Sequence, residues 1–199
     1  VLEAVRRLSP ETYLHCVRVG RSSAALAKAL GLNDFEQKIA EYSGLFHDIG
    51  KIKIDQSVLL KPGRLTSEEF AEMKRHSQES AHMLAHLSHV PFFRDVIEGV
   101  LFHHERFDGQ GYPDGLRGEE IPTASRIVLV ADAFDAMTAD RVYRKGLSAE
   151  YAERELIDCS GTQFDGLVVK DFLRIRPESP WEANQPEFHR QVTHLKKIA

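Results

Sequence analysis

Two cysteines in 199 residues, Cys16 and Cys159, lie far apart in helical contexts and exclude a disulfide framework or a thiolate metal site. They are read as buried apolar residues. No apolar run approaches the ~20 residues of a membrane span, so no membrane insertion is expected. The N-terminus also lacks the charged, apolar and cleavage-site segments of a signal peptide. These absences point to the cytoplasm. Basic charge is scarce as well: 26 Lys and Arg against 30 Asp and Glu leave a net charge of -4. That excludes the field needed to hold a long nucleic acid, while a small anionic ligand stays compatible with a locally cationic site. Strand-like alternation, internal repeats and low-complexity tracts are missing too. The chain begins with Val rather than Met, so it is expected to be an excised piece of something longer.

With 42% hydrophobic residues, the chain suffices for one well-buried core, and apolar positions recur at helical spacing nearly throughout. The class is all-α, a bundle of about seven helices. Ser9-Pro10-Glu11 reads as an N-cap followed by Pro at the first helical position, and Gly31 closes that helix, over 10–30. Asn33 or Asp34 caps a second helix whose apolar face, Phe35, Ile39, Tyr42 and Phe46, runs into His47-Asp48. Residues 50–65, GKIKIDQSVLLKPGRL, read as a loop. Thr66 to Glu69 matches a capping box and opens a third helix that carries His76. A fourth, over about 92–106, ends in HHERFDGQGYP (103–113), a Gly/Pro-rich loop; a fifth runs from about Pro122 to Asp140 through Asp132 and Asp135. Ser148 caps a sixth and LVVKDFL marks a seventh. The tail, 176–199, with three prolines and the one tryptophan, departs from this pattern and is set apart from a single domain over 1–175.

Ten histidines need sorting. Taken singly, each is best read as a helix cap or the partner of a carbonyl. That reading is kept for His82, His86, His89, His189 and His194, although the first three have metal-pair spacing. Glu11 and His15, four apart, share a helix face, so a carboxylate and an imidazole can converge on one ion. His47 and Asp48 leave a helix about 100° apart, and a shared ion needs the broadened angle that Gly50 supplies. By the same argument, His103 and His104 are better placed to serve two ions than one.

As a set these residues say more. His15, His47-Asp48 and Asp132 follow the H…HD…D order of the HD phosphohydrolase superfamily. HDIGK (47–51), LLKPGRLT (59–66), His76, HHERFDGQGYP (103–113), ADAFDAMTADRVYR (131–144) and FDGLVV (164–169) narrow the match. Together they resemble the HD-GYP family of bacterial cyclic dinucleotide phosphodiesterases over about residues 10–175. The resemblance implies metal ligands at His15, His47, Asp48, His76, His103, His104 and Asp132, with Asp48 bridging two ions. Glu11 falls where some members hold a third metal. Iron is the first choice for the ions and manganese the second. The implied reaction is hydrolysis of cyclic di-GMP to linear pGpG and/or GMP by a hydroxide held between the ions, with 3′,3′-cyclic GMP-AMP the alternative substrate.

In that frame Lys51 places an ammonium on the non-bridging phosphate oxygens. Tyr112, Arg141 and Arg144 contact the substrate, Asp135, one turn from Asp132 and grouped with the substrate-binding residues, orients a metal ligand or a water, and Glu105 partners an imidazole N–H. A role in second-messenger signalling follows, with an N-terminal sensor or receiver domain in the full-length protein; a homodimer is admitted. Ser80, Val142 and Gly166 depart from the residues usual in the family and bear on local backbone shape. Two other readings compete. An HD-type nucleotide phosphohydrolase explains His15, His47, Asp48 and Asp132 but not the GYP blocks. A catalytically weak dinucleotide-binding module predicts broken ligands, and none of the eight is missing.

Overall fold

Short capping motifs set where most of the helices begin. The computed structural model describes residues 2–140 and 145–175, and among these it contains nine α-helices. The first, α1 (Leu2–Leu8), precedes Ser9, whose hydroxyl accepts from Thr12 N and starts α2 (Pro10–Ala29). Asn33 closes a capping box with Glu36 at the start of α3 (Asp34–Phe46), and a 3-10 turn follows over Ile49–Lys53. Asp55 caps a single turn, α4 (Gln56–Leu59), and the Thr66–Glu69 box opens α5 (Ser67–Leu84). Then come α6 (Pro91–Leu101), α7 (Thr123–Thr138), α8 (Ala149–Asp158), capped by Ser148, and α9 (Gly166–Ile175).

Helices α2, α3 and α7 pack on one another, α6 lies against α3, and α5 sits across α6 and the 3-10 turn. One apolar cluster joins Leu26, Ile127, Phe134, Phe164 and Phe172 from α2, α7, α9 and the segment before α9. A second joins Ile39, Ile49, Leu84, Val96 and Val100. The tightest crossing, α2 over α3, depends on two glycines. A Cβ on Gly44 would stand 2.9 Å from Gly20 Cα and 2.9 Å from Ser23 Oγ, so no larger residue fits without spreading the helices.

The all-α class holds, and the differences are local. Residues 50–65 are not a plain loop. Ile49, Ile54 and Val58 are buried, and the Asp55 cap lets one helical turn form over Gln56–Leu59. The fourth predicted helix stops at Leu101 rather than near 106, and α1 was not foreseen. The only β feature among the described residues is an isolated bridge, Ser160 to Phe164. None of the described helices is long and apolar enough to cross a membrane. Arg141, Val142 and Arg144, the 176–199 tail, His189 and His194 lie outside the described residues.

Candidate metal centre

Five segments deliver donors to one buried locus. Helix α2 brings His15, α3 ends in His47, and Asp48 begins the 3-10 turn. Helix α5 brings His76, the residues after α6 bring His103 and His104, and α7 brings Asp132. The Gly20–Gly44 crossing lets the His15 and His47 rings meet edge to face with centroids 5.1 Å apart. Gly50 N donates to Ser80 Oγ at 2.7 Å, and the Ser80 hydroxyl donates to the His47 carbonyl at 2.7 Å. This double hydrogen bond ties the His-Asp turn to α5, so Ser80 fastens the site where the sequence marked only a departure in backbone shape.

The backbone fixes the tautomer of three imidazoles. His47 Nδ1 reaches Gly44 O at 2.7 Å, His76 Nδ1 reaches Met73 O at 2.7 Å, and His103 Nδ1 reaches Val100 O at 2.6 Å. A carbonyl only accepts, so each Nδ1 carries a hydrogen, and each ring, when neutral, turns an Nε2 lone pair inward. The His47 Nε2 atom is buried without a hydrogen-bond partner. The His76 and His103 Nε2 atoms face each other at 3.3 Å, two lone pairs that a cation would reconcile. These donors fit a divalent ion, and imidazole with carboxylate suits iron, manganese, nickel or zinc.

Asp48 stands between two donor groups. Its Oδ2 lies 3.4 Å from His47 Nε2 and 3.5 Å from His15 Nε2, while its Oδ1 lies 3.4 Å from His76 Nε2. Asp132 Oδ1 is 3.0 Å from His15 Nε2 and 3.8 Å from His47 Nε2. His15, His47 and Asp132 form one group able to hold an ion; His76, His103 and His104 form another; His47, Asp48 and His103 connect them. His103 and His104 both meet His76, and His103 alone of the two also groups with His47 and Asp48. Helix α6 has already ended at Leu101, so the ~100° helical divergence between neighbours does not apply to them. Glu11, one turn before His15, is exposed and belongs to none of these groups. His82, His86 and His89 are exposed, and His89 Nδ1 lies 3.1 Å from the His86 carbonyl, in keeping with their structural reading.

Electrostatics divide the same residues. Burial holds His76 and His103 below the ordinary histidine value and brings His104 to about 3, so all three are neutral near pH 7. Burial would raise Asp48, but Lys51 and His47 outweigh it and hold the carboxyl well below its usual range. Asp132 is lowered likewise by His15 and His47 against burial. His15 moves the other way: burial opposes its charge, yet the bonds to Asp132 and Asp135 raise it to about 9. Lys51 Nζ sits 2.5 Å from Asp48 Oδ2 and stays charged, since Asp48 and Asp132 offset its burial.

Around this locus the structure reassigns some expectations. Asp135 keeps the expected role of orienting a ligand, since its Oδ2 accepts from His15 Nδ1 at 2.7 Å, and Arg18 grips both of its oxygens. Arg18, three residues after His15 on α2, was not singled out in the sequence, where that spacing was the available signal. Glu105 is buried but bonds no imidazole. Its Oε1 accepts from Asp114 N at 2.7 Å and Gly115 N at 2.9 Å, closing the loop on itself, and its buried Oε2 has no hydrogen-bond partner. The Nδ1 atoms of His47, His76 and His103 had already found helix carbonyls within reach. Tyr112 leans over His104 with ring centroids 4.8 Å apart, and its backbone N donates to His104 O at 3.3 Å.

A family model described as an HD domain matches residues 5–168. The chain belongs to the HD domain family. This HD domain is 41% identical over 182 residues to the cyclic di-GMP phosphodiesterase of Thermotoga maritima, a match covering 89% of the chain and 49% of the relative. It is 42% identical over 161 residues to the cyclic di-GMP phosphodiesterase response regulator RpfG of Xanthomonas campestris pv. campestris, covering 81% of the chain and 42% of the relative. The chain therefore spans about half or less of the length of these relatives. Together with its sequence motifs, they place it in the HD-GYP branch. Among solved structures, a cyclic GMP-AMP specific phosphodiesterase of Vibrio cholerae superposes with a TM-score of 0.65 at 21% identity, over 90% of this chain and 48% of that one. At that identity the likeness bears on the fold alone.

Proposed function

We propose that this HD domain is a metal-dependent phosphodiesterase that opens cyclic di-GMP to linear pGpG and/or GMP, with 3′,3′-cyclic GMP-AMP as the alternative substrate. The observation that carries the proposal is Asp48, which turns one oxygen toward each of two donor groups. The names of the similar phosphodiesterases support it. His15, His47, Asp48 and Asp132 would hold one ion, and His76, His103, His104 and Asp48 the other. Two ions so held would supply positive charge for the phosphate oxygens and would lower the pKa of a bound water toward neutrality.

The protein's own groups prepare that chemistry. Carbonyls lock the Nε2 atoms of His47, His76 and His103 inward, so these rings need no reorientation. Lys51, moored on Asp48 with its side chain 29% exposed, offers an ammonium to non-bridging oxygens as negative charge develops. Tyr112 forms a rim beside His104 on which a base or sugar rests. Asp135 serves the substrate through His15, because Arg18 and His15 already occupy its oxygens. Arg141 and Arg144, three apart, complete the phosphate or guanine contacts. Iron is the first choice of metal and manganese the second. Glu11 would hold a third ion, in which case Glu11→Ala removes part of the metal and leaves the rest.

The wider setting belongs to the same proposal. One relative is named a response regulator, in line with an N-terminal receiver or sensor domain governing a cytoplasmic, second-messenger phosphodiesterase, with a homodimer admitted. The test is anaerobic purification with ferrous iron or manganese, metal counting, and product analysis on cyclic di-GMP beside the mixed dinucleotide. Turnover of either with two or three bound ions supports the reading. Bound metal without turnover of either leaves a binding module. Cleavage of mononucleotides alone would favour the broader HD phosphohydrolase class.

A further inference from the structure

His15 is anchored unlike the other imidazoles described above. His47, His76 and His103 each use a carbonyl three residues back in the chain, whereas His15 reaches across the α2–α7 contact to the Asp135 carboxylate. A carboxylate is the stronger acceptor and makes the ligating imidazole more basic. It also brings a hazard. Asp135 lies one turn from Asp132 on α7, and an unrestrained carboxylate there would compete for a cation itself. Arg18 meets this hazard with a fork: Nε stands 2.5 Å from Oδ1 and Nη2 stands 2.8 Å from Oδ2. Helix α2 sets Arg18 one turn after His15, and α7 sets Asp135 one turn after Asp132, so the two pairs run side by side across the helix contact. Arg18 also borders a cavity of about 460 Å³, with Asp135, Thr138 and Asp140 in its wall.

We infer that Arg18 is a positioning residue: by pinning both Asp135 oxygens it keeps that carboxylate out of the ion's immediate ligands, holds His15 Nε2 toward Asp48 and Asp132, and thereby sets the affinity of the ion held by His15, His47 and Asp132. The inference rests on the reading of His15 as a metal ligand. It assigns Arg18 no contact with substrate.

The test uses Mn²⁺ alone, titrated calorimetrically into the metal-stripped 199-residue chain, with metal counting afterwards. The Arg18→Gln variant should weaken one class of bound Mn²⁺ about 10- to 100-fold and leave the other class unchanged. Arg18→Lys should recover part of the loss, since it restores the charge without the fork. The Arg18→Gln/Asp135→Asn double variant should bind no more weakly than Asp135→Asn alone, as expected for a residue that acts through Asp135. Excess Mn²⁺ should restore kcat, with KM unmoved. Native-like Mn²⁺ binding by Arg18→Gln overturns the inference, and so do additive losses in the double variant. A raised KM at unchanged Mn²⁺ affinity overturns it by making Arg18 a substrate contact from the cavity. Asp135→Asn, which preserves side-chain shape, keeps the inference testable if Arg18→Gln fails to fold: unaltered Mn²⁺ binding by that variant overturns it. A wild-type chain that binds no Mn²⁺ overturns the metal-centre reading itself, and the inference with it.

Discussion

Stripped of metal by a chelator, the chain should carry His15 as an imidazolium held between Asp132 and Asp135, and metal binding should expel that proton. The two nitrogens of the ring lie 3.0 Å from Asp132 Oδ1 and 2.7 Å from Asp135 Oδ2, and these bonds outweigh burial and raise the group to about 9. At pH 7 the ring is then about 99% protonated, and freeing Nε2 costs about 2.7 kcal/mol, or ~100-fold in apparent affinity. His76, His103 and His104 are lowered and Asp132 and Asp48 are ionised, so none of these competes as the proton's source. Mn²⁺ affinity for this group should therefore rise about tenfold per pH unit between 7 and 8. Calorimetric titration in two buffers of different ionisation enthalpy should count about one proton released at pH 7. Zero release, with affinity independent of pH, would refute the reasoning.

The same group sets a stability prediction. Its folded value is raised above the ordinary 6.5, so the stabilisation is complete below 6.5 and lost as pH rises through about 9. The chelated chain should lose up to about 3 kcal/mol of stability over that window, measured by urea unfolding. Asp48→Ala should abolish turnover and lower metal content together, because one carboxylate faces both donor groups; an intact metal count would put the ions elsewhere. Gly44→Ala forces a Cβ to within 2.9 Å of Gly20 Cα and should cost about 1–3 kcal/mol, read as a lower Tm. An unchanged Tm would mean that the α2–α3 crossing yields easily. Glu105→Ala removes the acceptor of Asp114 N and Gly115 N, so Tyr112 should shift and KM for the dinucleotide should rise with metal content unaltered. Loss of metal would instead place Glu105 at the ions.

Much of this fold was readable from short-range chemistry. Ser9, Asn33, Thr66 and Ser148 cap where their sequences indicated, since a cap closes over two or three residues and needs no distant partner. The end of α6 was misplaced because residues 102–106 contain neither a glycine nor a proline to mark it, although the chain there turns to bring His103 and His104 beside His76. The short helix α4 escaped notice for a related reason, as Val58 is buried by packing that no local pattern announces.

The sequence by itself determined the donor inventory: histidines and aspartates in a recognisable order, no thiolate, and a glycine-bearing loop beside two imidazoles. Their chemical types limit the metals that suit them before any coordinate is known. Only the tertiary structure decided how the donors are shared. It set which Asp48 oxygen faces which group, put His103 in reach of both groups and His104 of one, and gave Glu105 to the loop and Asp135 to His15. It also closed Arg18 on a carboxylate 117 residues away. Those outcomes depend on the distance between helices, which the Gly20–Gly44 contact and the Ser80 hydrogen bonds set. Spacing along one helix gives the direction of a side chain, while its partner is fixed when a second helix packs against it.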